Sequence, residues 1–384
     1  MEYEKLFEQY KQTELFGRYI TLSHIEPILN QLNKKGEVQN IGSSVQGKPI
    51  YGYFTGTGKI KILLWSQMHG NESTTTKALF DLFQLLESES ESAVFLLQHF
   101  SFCFIPILNP DGAERYTRVN ANGVDLNRDA QDLSQPESKV LRQIYVDFKP
   151  DYCYNLHDQR TIFAVGDSNK PATVSFLAPS YNEKRDFNAI RLRATTVIVA
   201  MNKTLQRFIP GQVGRFDDAF NLDCIGDTLQ SLGTPTILFE AGHFSNDYER
   251  EITRKYIFFA LLSSFNSIYE NVIVDNVFEE YLNIPQNKAT FFDFVYKNIK
   301  INYDSSEIIT NFAAQYNEEL LNNTIIFNAF INKIGDLQQN FGHVEFDGMG
   351  KNYSDALSNF PSLNQKADFF IDRTIKIVNG KVAK

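Results

Sequence analysis

The sequence predicts an α/β fold in which helices cover both faces of a mixed, mostly parallel sheet, followed by a small C-terminal α+β or β module. Apolar strand-like runs alternate with helical patterns from about residue 40 to residue 270. One of these runs, residues 99–108, contains almost no polar side chain, as is typical of a strand buried on both faces. After about residue 275 the pattern changes to polar–aromatic strands. We therefore predict two domains, residues 1–274 and 275–384.

The individual elements follow from the spacing of apolar residues and from turn signals. An acidic stretch at residues 87–92 is expected to be a loop, and Asn379–Gly380 is typical of a hairpin turn. In chain order, the other predicted elements are a helical lead-in over 1–35, a hairpin leading into a buried strand at 59–66, a helix from 74, a strand over 99–108, a helix from 134 to 148, strands at 151–157 and 161–166, a helix over 184–206, a strand at 234–240 and a helix over 248–269.

Composition excludes several classes of protein. The 43% apolar content is ample for a sizeable core, and the net charge of −9 offers no electrostatic basis for binding nucleic acid or an anionic membrane. We find no apolar run of about 18 residues and no basic segment followed by an apolar one, so we expect a cytoplasmic protein without a membrane span. Cys103 and Cys153 lie in apolar runs and are expected to be buried free thiols.

Polar residues follow the predicted strands at the points where the strands end. His69 and Glu72 follow the first buried strand, His157 ends the third, and Glu240 ends the fourth. In open α/β sheets, sites assemble at the carboxyl ends of the strands. Two imidazoles and one carboxylate are a common ligand set for a catalytic zinc ion, with one position left open for water. His69, Glu72 and His157 are therefore the predicted ligands of one zinc ion.

A zinc site of this kind needs further groups. It requires a general base, a positive charge for the developing oxyanion, and a group that recognises the substrate. Glu240 follows an apolar strand into a position where an unpartnered carboxylate is costly, which favours it as the base. Arg118 could supply the positive charge. The pair Asn127 and Arg128 suits the binding of a substrate carboxylate.

Each of these motifs has a less specific interpretation when it is taken alone. A His and a Glu three residues apart are usually a surface pair or a helix cap, and a charged loop explains Arg118 equally well. Among the six histidines, His243 is the alternative to His157 as a ligand, since it follows Glu240 closely. His99 begins a predicted strand and thus lies at the wrong end of the sheet. The joint occurrence of all the motifs, in order and at strand ends, favours the metal site.

The segments "HGNE", "NPDG", "TRVNANGVDLNRD", "NLHD" and "TILFEAGHF" together resemble the zinc carboxypeptidases of the carboxypeptidase A type, over roughly residues 40–260. The resemblance implies an α/β/α sandwich around a mixed sheet of about eight strands, with residues 1–274 as the catalytic domain. It also implies a role for each motif: one zinc per chain on His69, Glu72 and His157, Glu240 as general base and then proton donor, Arg118 as oxyanion stabiliser, and Asn127 and Arg128 as ligands of the substrate carboxylate.

The sequence departs from that family in two places. Digestive members carry a tyrosine on a mobile loop before the catalytic glutamate, whereas here no tyrosine occurs between residues 181 and 248. Phe216, Asp217, Asp218 and Phe220 occupy that stretch, and the acidic pair would favour a substrate with a cationic group. Residues 275–384 match no accessory domain of the family.

Three functions are compatible with these residues. The leading prediction is a zinc metallopeptidase that hydrolyses a peptide bond near the C-terminus of small peptides. The alternative is a zinc-dependent N-acyl-amino-acid deacylase of the aspartoacylase and succinylglutamate desuccinylase type. A non-catalytic protein that binds peptide C-termini is the third. The expected partner is a peptide or acyl-amino-acid with a free carboxylate, and the sequence predicts no oligomeric state.

Overall fold

The structure is a computed structural model that describes residues 2–32 and 34–383. Contacts divide these residues into two compact units. The first unit comprises the described residues up to Gln159 together with Ala172–Asn287. The second comprises Arg160–Pro171 and the described residues from Lys288 onward. The division predicted from the sequence, after residue 274, stays a prediction, because compactness alone does not define a functional domain.

Ten α-helices occur in the described part of the chain, together with one short 3-10 helix at Leu126–Arg128. The α-helices are α1 (Tyr3–Tyr10), α2 (Leu22–Leu29), α3 (Thr74–Leu86), α4 (Glu91–His99), α5 (Pro110–Arg115), α6 (Pro136–Phe148), α7 (Ala189–Leu205), α8 (Ile225–Ser231), α9 (Glu251–Tyr269) and α10 (Val277–Leu282).

The strands fall into two groups along the chain. Those up to residue 241 are β1 (Gly36–Ser43), β2 (Pro49–Thr55), β3 (Ile60–Trp65), β4 (Phe100–Ile105), β5 (Tyr152–Asp158), β6 (Phe163–Val165), β7 (Val174–Leu177), β8 (Val213–Arg215) and β9 (Thr236–Ala241). The later strands are β10 (Asn287–Ala289), β11 (Phe291–Ile301), β12 (Ile308–Leu321), β13 (Thr324–Ile334), β14 (Phe341–Asp347), β15 (Tyr353–Ser354), β16 (Phe369–Ile371), β17 (Ile375–Val378) and β18 (Lys381–Val382).

The first unit is built on one eight-stranded sheet with the order β1-β2-β4-β3-β5-β9-β7-β8. Its central strands β4, β3, β5 and β9 run parallel to one another, and β7 is antiparallel to β9. The hairpin of β1 and β2 adds an antiparallel edge. These strands confirm the predicted α/β fold with a mixed sheet of eight strands.

Alternate residues of the central strands pack into different cores, because successive side chains of a strand point to opposite faces. Ile62 and Leu64 of β3 belong to the larger apolar cluster, which includes residues of α3, α7 and α9. Leu63 and Trp65 belong to a second cluster, which includes residues of α6 and α8. Helices therefore cover both faces of the sheet. The same alternation buries the free thiols of Cys103 and Cys153, as predicted.

One local prediction is wrong. The structure places helix α4 at Glu91–His99, where the sequence predicts the end of an acidic loop and the start of a strand. Ser90 caps this helix by accepting a hydrogen bond from the amide of Ala93 at 3.2 Å. Ala93 and Leu96, one turn apart, are its buried residues. The polar residues of this segment thus form a cap and an exposed helix face.

The second unit consists mainly of strands, as predicted for the C-terminal module. It contains a four-stranded sheet with the order β13-β12-β11-β14 and a smaller sheet of β15 to β18. Asn379 and Gly380 have φ angles of 48° and 83° and connect β17 to β18, which confirms the predicted hairpin turn. Residues 160–171 belong to this unit: Thr161 contacts Gln315 and His343 through hydrogen bonds of 2.8 Å.

Within the described residues, no helix has both the length and the apolar content that a membrane crossing requires.

Candidate active site

The turn between β3 and α3 holds the first two predicted ligands. The amide of Glu72 donates a hydrogen bond of 3.1 Å to the carbonyl of His69, which closes a tight turn. Gly70 lies against the backbone of Gly112, and a Cβ atom at this position would be 1.9 Å from the Gly112 carbonyl carbon. Glycine is therefore required between the two ligands by a close approach of two backbone segments.

His157 and Glu240 are brought together by the pairing of β5 with β9. Both strands are parallel, and His157 lies directly opposite Glu240 in the register. Directly paired residues point to the same face, so both side chains lie on one side of the sheet. Because β3 is the other neighbour of β5, its carboxyl end and the turn with His69 and Glu72 lie beside them.

The structure gathers His69, Glu72 and His157 into one cluster. One potential ligand atom from each of the three lies within 4.8 Å of the others, and no second cluster of three such side chains exists in the described residues. The Nδ1 atoms of His69 and His157 lie 2.9 and 2.8 Å from the two carboxylate oxygens of Glu72, and 3.0 Å from each other. Both histidines are buried.

Asp125 orients His69 and is a site residue that the sequence analysis did not assign. Its Oδ1 atom lies 3.0 Å from Nε2 of His69, so it can accept a proton from Nε2 and leave Nδ1, which faces Glu72, as the nitrogen available to a metal ion. The same carboxylate caps the short helix that follows it, by accepting from the amide of Asn127 at 2.9 Å. The signal was present in "VDLNR", where an aspartate precedes the Asn–Arg pair by two residues.

Asp158 supports Glu72 from the other side and was also not predicted. Its backbone amide donates to Oε2 of Glu72 at 3.2 Å. Its carboxylate accepts from the amide and the hydroxyl of Thr74 at 3.0 and 2.6 Å, which ties the end of β5 to the first turn of α3. Asp158 therefore joins the two segments that carry the three clustered residues.

The charges of the cluster shift the pKa values of its members. Burial alone would raise the pKa of Glu72, but the two histidines outweigh burial and lower it. Burial would lower the pKa of His69, yet the charge of Glu72 and the hydrogen bonds that the ring donates to Asp125 and Glu72 raise it overall. For His157, burial outweighs the attraction of Glu72, and its pKa is lowered. The cluster thus combines one firmly ionised carboxylate with two imidazoles.

Glu240 has the opposite electrostatic setting. Its pKa is raised well above the ordinary value, first by burial and then by the negative charges of Glu72 and Asp158. Its Oε2 atom is buried and makes no hydrogen bond within the described structure. A carboxylate with a raised pKa and an open oxygen is suited to accept and return a proton.

Arg118 lies at the exposed edge of the cluster. Its Nε atom donates to Asp125 at 3.0 Å, and its Nη1 atom lies 3.3 Å from Glu72. About half of the side chain (47%) is exposed, so the guanidinium borders both the clustered residues and solvent. This location places a permanent positive charge beside the predicted ligands.

Asn127 and Arg128 lie on the short 3-10 helix that Asp125 caps. The side-chain oxygen of Asn127 accepts from the amide of Ile225 at 3.3 Å, at the start of α8. The exposed guanidinium of Arg128 donates to the carbonyl of Asn127 at 2.8 Å. One capped turn therefore carries a group that orients His69 and two groups that could bind a substrate.

His243, the alternative ligand, is buried but is not a member of the cluster. Its ring packs against Tyr248 with centroids 4.8 Å apart. The strand register explains the difference: His157 is paired with Glu240, whereas His243 lies beyond the end of β9.

Two arginines form ion pairs with the acidic residues of the segment 216–220. Asp218 lies 2.6 Å from Arg191 and 3.3 Å from Arg185, and Asp217 lies 3.6 Å from Arg185. Each carboxylate of the acidic pair therefore lies within ion-pair distance of an arginine. The structure gives no support to the prediction that this pair favours a cationic substrate group.

Comparisons with known proteins agree with the motifs. Residues 25–154 match the zinc carboxypeptidase family. The chain is 26% identical over 100 residues to probable carboxypeptidase 2 of Arthroderma benhamiae, which is 26% of this chain and 19% of that protein. It is 30% identical over 151 residues to carboxypeptidase E of Caenorhabditis elegans, 32% of each chain. The matched regions thus span about a fifth and a third of these two relatives.

Solved structures share the fold. A metallo-carboxypeptidase from Burkholderia cenocepacia superimposes with a TM-score of 0.52 and 19% identity, over 65% of this chain and 69% of that one. Thrombin-activatable fibrinolysis inhibitor superimposes with a TM-score of 0.52 and 17% identity, over 70% and 81% of the two chains. At these identities the likeness shows the fold alone. Together, the family match over residues 25–154 and the shared fold confirm the resemblance to the zinc carboxypeptidases.

Proposed function

We propose that this protein is a zinc-dependent metallocarboxypeptidase, which removes residues from the C-terminus of peptides. The observation that carries the proposal is the convergence of His69, Glu72 and His157 within 4.8 Å, on the face of the sheet where Glu240 lies opposite His157. The family match over residues 25–154 includes the segment that holds His69 and Glu72.

The clustered residues fit a zinc ion. Ligand atoms at about 2.0–2.1 Å from a tetrahedral zinc lie about 3.3–3.4 Å from one another. The three side chains, whose ligand atoms are 2.8–3.0 Å apart, therefore need to separate by only roughly half an ångström to hold the ion. Two neutral imidazoles and one ionised carboxylate are the donor set of many catalytic zinc sites, and Asp125 supplies the outer carboxylate that orients His69. When bound, zinc would acidify water and polarise a substrate carbonyl.

Glu240 is the proposed general base. Its buried oxygen without a hydrogen-bond partner can accept a proton from the attacking water. Its raised pKa then favours return of that proton to the leaving amine. A carboxylate whose pKa lies far below neutral would hold the proton too weakly for the second step.

Arg118 and the Asn127–Arg128 pair are proposed to bind the two oxygen-bearing groups of the substrate. Arg118, beside Glu72, would donate hydrogen bonds to the oxyanion that develops at the scissile carbonyl. Arg128, exposed at the end of the capped turn, would bind the terminal carboxylate through two parallel N–H bonds. Asn127 would contribute its amide to the same carboxylate.

The proposal is tested by measuring zinc and activity together on the purified full chain. We expect about one zinc per chain, lost on chelation and restored with zinc, and release of single residues from peptides with a free C-terminus but not from amidated ones. Faster release of acyl groups from N-acyl amino acids would support the deacylase instead. Binding of free C-termini without uptake of metal would support the non-catalytic protein.

A further inference from the structure

A buried arginine joins the ends of the two strands that carry His157 and Glu240. Arg250 immediately precedes α9 and is only 1% exposed. Its Nη1 atom donates to the carbonyl of Ala241, one residue after Glu240, at 2.8 Å. Its Nη2 atom donates to the carbonyl of Gln159, two residues after His157, at 2.9 Å. One guanidinium therefore contacts β9 and the chain leaving β5 at the same time.

Arg250 contacts β9 and the chain after β5 at the point where the backbone hydrogen bonds between the two strands end. The last rung is the hydrogen bond of 2.9 Å from the amide of Gln159 to the carbonyl of Ala241. Buried carbonyl groups beyond that rung need donors. A guanidinium is planar, always charged and carries five N–H donors, so it can serve carbonyls of two strands together.

The turn after β9 leaves little freedom around this contact. Arg250 also donates to the carbonyl of Gly242. A Cβ atom on Gly242 would lie 1.9 Å from the carbonyl oxygen of Ala172 and 2.3 Å from the side chain of Gln159. The backbone after Glu240 is thus enclosed, and a shift of Arg250 would be transmitted to it.

Asp247, and not the side chain of Arg250, caps the start of α9. Asp247 accepts hydrogen bonds from the amides of Glu251, Ile252 and Thr253 at 2.8, 2.9 and 2.8 Å. Arg250 has a φ of 60°, in the left-handed region that is unfavourable for a residue with a long side chain. Such a conformation persists where surrounding contacts hold it, which agrees with the bonds to three carbonyls.

We infer that Arg250 is a positioning residue that fixes the general base Glu240 relative to the metal ligand His157, by tying the end of β9 to the end of β5. The inference rests on the proposed peptidase function. A general base must lie within hydrogen-bond reach of the proton that it removes, and a misplacement of about 1 Å costs about 100-fold in rate. The contacts that set this spacing are therefore expected to affect turnover.

The test compares two buried arginines at the start of α9, Arg250 and Arg254, in the full, zinc-loaded chain. Arg250→Lys keeps a positive charge but cannot contact two strands in one plane. The matched control is Arg254→Lys: Arg254 is also buried and donates to the carbonyls of Leu15 and Gln12 at 2.7 Å, away from both strand ends. Hydrogen exchange of the peptides that cover residues 155–161 and 238–244 is measured first, followed by Co²⁺ affinity, kcat and KM.

We expect Arg250→Lys to speed exchange at both strand ends at least tenfold and to lower kcat about 10- to 100-fold, with KM within about threefold. Arg254→Lys should lower thermal stability but leave kcat and both strand ends unchanged. Equal exchange in the two variants, or an unchanged kcat in Arg250→Lys, would overturn the inference. If Arg250→Lys does not fold, Arg250→Gln, which retains two amide donors, is measured below room temperature under the same criteria.

Failure of the proposed function would give a different result. If the wild-type chain cleaves no peptide, that function is wrong, and the exchange and Co²⁺ measurements still decide the role of Arg250. Unchanged strand-end exchange together with an unchanged Co²⁺ affinity would then exclude a positioning role.

Discussion

Asp125 is expected to control how tightly the cluster binds zinc. Its carboxylate accepts hydrogen bonds from Nε2 of His69, Nε of Arg118 and the amide of Asn127, at 3.0, 3.0 and 2.9 Å. Asp125→Ala removes all three. The histidine then divides between two tautomers, only one of which directs the Nδ1 lone pair toward Glu72.

The expected loss of zinc affinity follows from the hydrogen bond between Asp125 and His69. A hydrogen bond to a charged group contributes about 1.5–3 kcal/mol, and the side chain of Asp125 is 23% exposed, which favours the lower half of that range. The lower half, about 1.5–2.2 kcal/mol, corresponds to a roughly 10- to 40-fold weaker zinc affinity, which lies within the usual range for the loss of a group that orients a metal ligand. The dissociation constant is measured by competition with a chromophoric chelator at fixed pH.

The matched control for this variant is Asp129→Ala in the same segment. Asp129 accepts from the amide and hydroxyl of Ser134 and from the amide of Gln135 at 2.9, 2.7 and 2.9 Å, so it also loses three bonds. It contacts none of the clustered residues. We expect it to lose stability while keeping its zinc affinity within about twofold. A zinc affinity of Asp125→Ala within twofold of the wild type would refute the reasoning.

The remaining predictions concern Glu240, Arg128 and Glu251. Glu240→Gln should retain zinc but lose about 10³-fold or more in kcat, because an amide cannot accept the proton. Single-turnover kinetics with measured zinc content would check this. An unchanged kcat would remove Glu240 from the mechanism. Arg128→Ala should raise KM about tenfold or more for peptides with a free carboxylate, and an unchanged KM would contradict the assigned role. The pKa of Glu251 is lowered to about 2, since the charges of Lys77 and Arg254 outweigh burial. A depressed pKa stabilises the fold above the ordinary value of 4.5, and this contribution is lost as the pH falls toward 2. We therefore expect this group to contribute roughly 1.8 kcal/mol less stability at pH 3 than at pH 5. Denaturant unfolding should show a smaller loss in Glu251→Gln, and equal losses in both proteins would refute this prediction.

Local chemistry in the sequence was sufficient to predict the α/β class and the positions of the main candidate site residues, whereas the sheet of about eight strands was expected from the family resemblance. Apolar runs bounded by turns predicted the strands, since a strand buried on both faces carries few polar side chains. His69, Glu72, His157 and Glu240 could be located because each lies where such a run ends, and the carboxyl ends of strands meet at one edge of a sheet. The Asn379–Gly380 turn was predictable for a similarly local reason, the tolerance of both residues for positive φ.

Tertiary structure decided the contacts that support those residues. Asp125 lies 56 residues from His69 in the sequence, and Arg250 lies 91 residues from Gln159. Periodicity carries no information about which distant carboxylate or guanidinium a buried group will meet, because that depends on the strand order and on the path of the loops. The register that pairs His157 with Glu240 likewise determines that His157, and not His243, lies in the cluster. The residue types that form the site could therefore be predicted from the chain, whereas the groups that orient them emerged only from the fold.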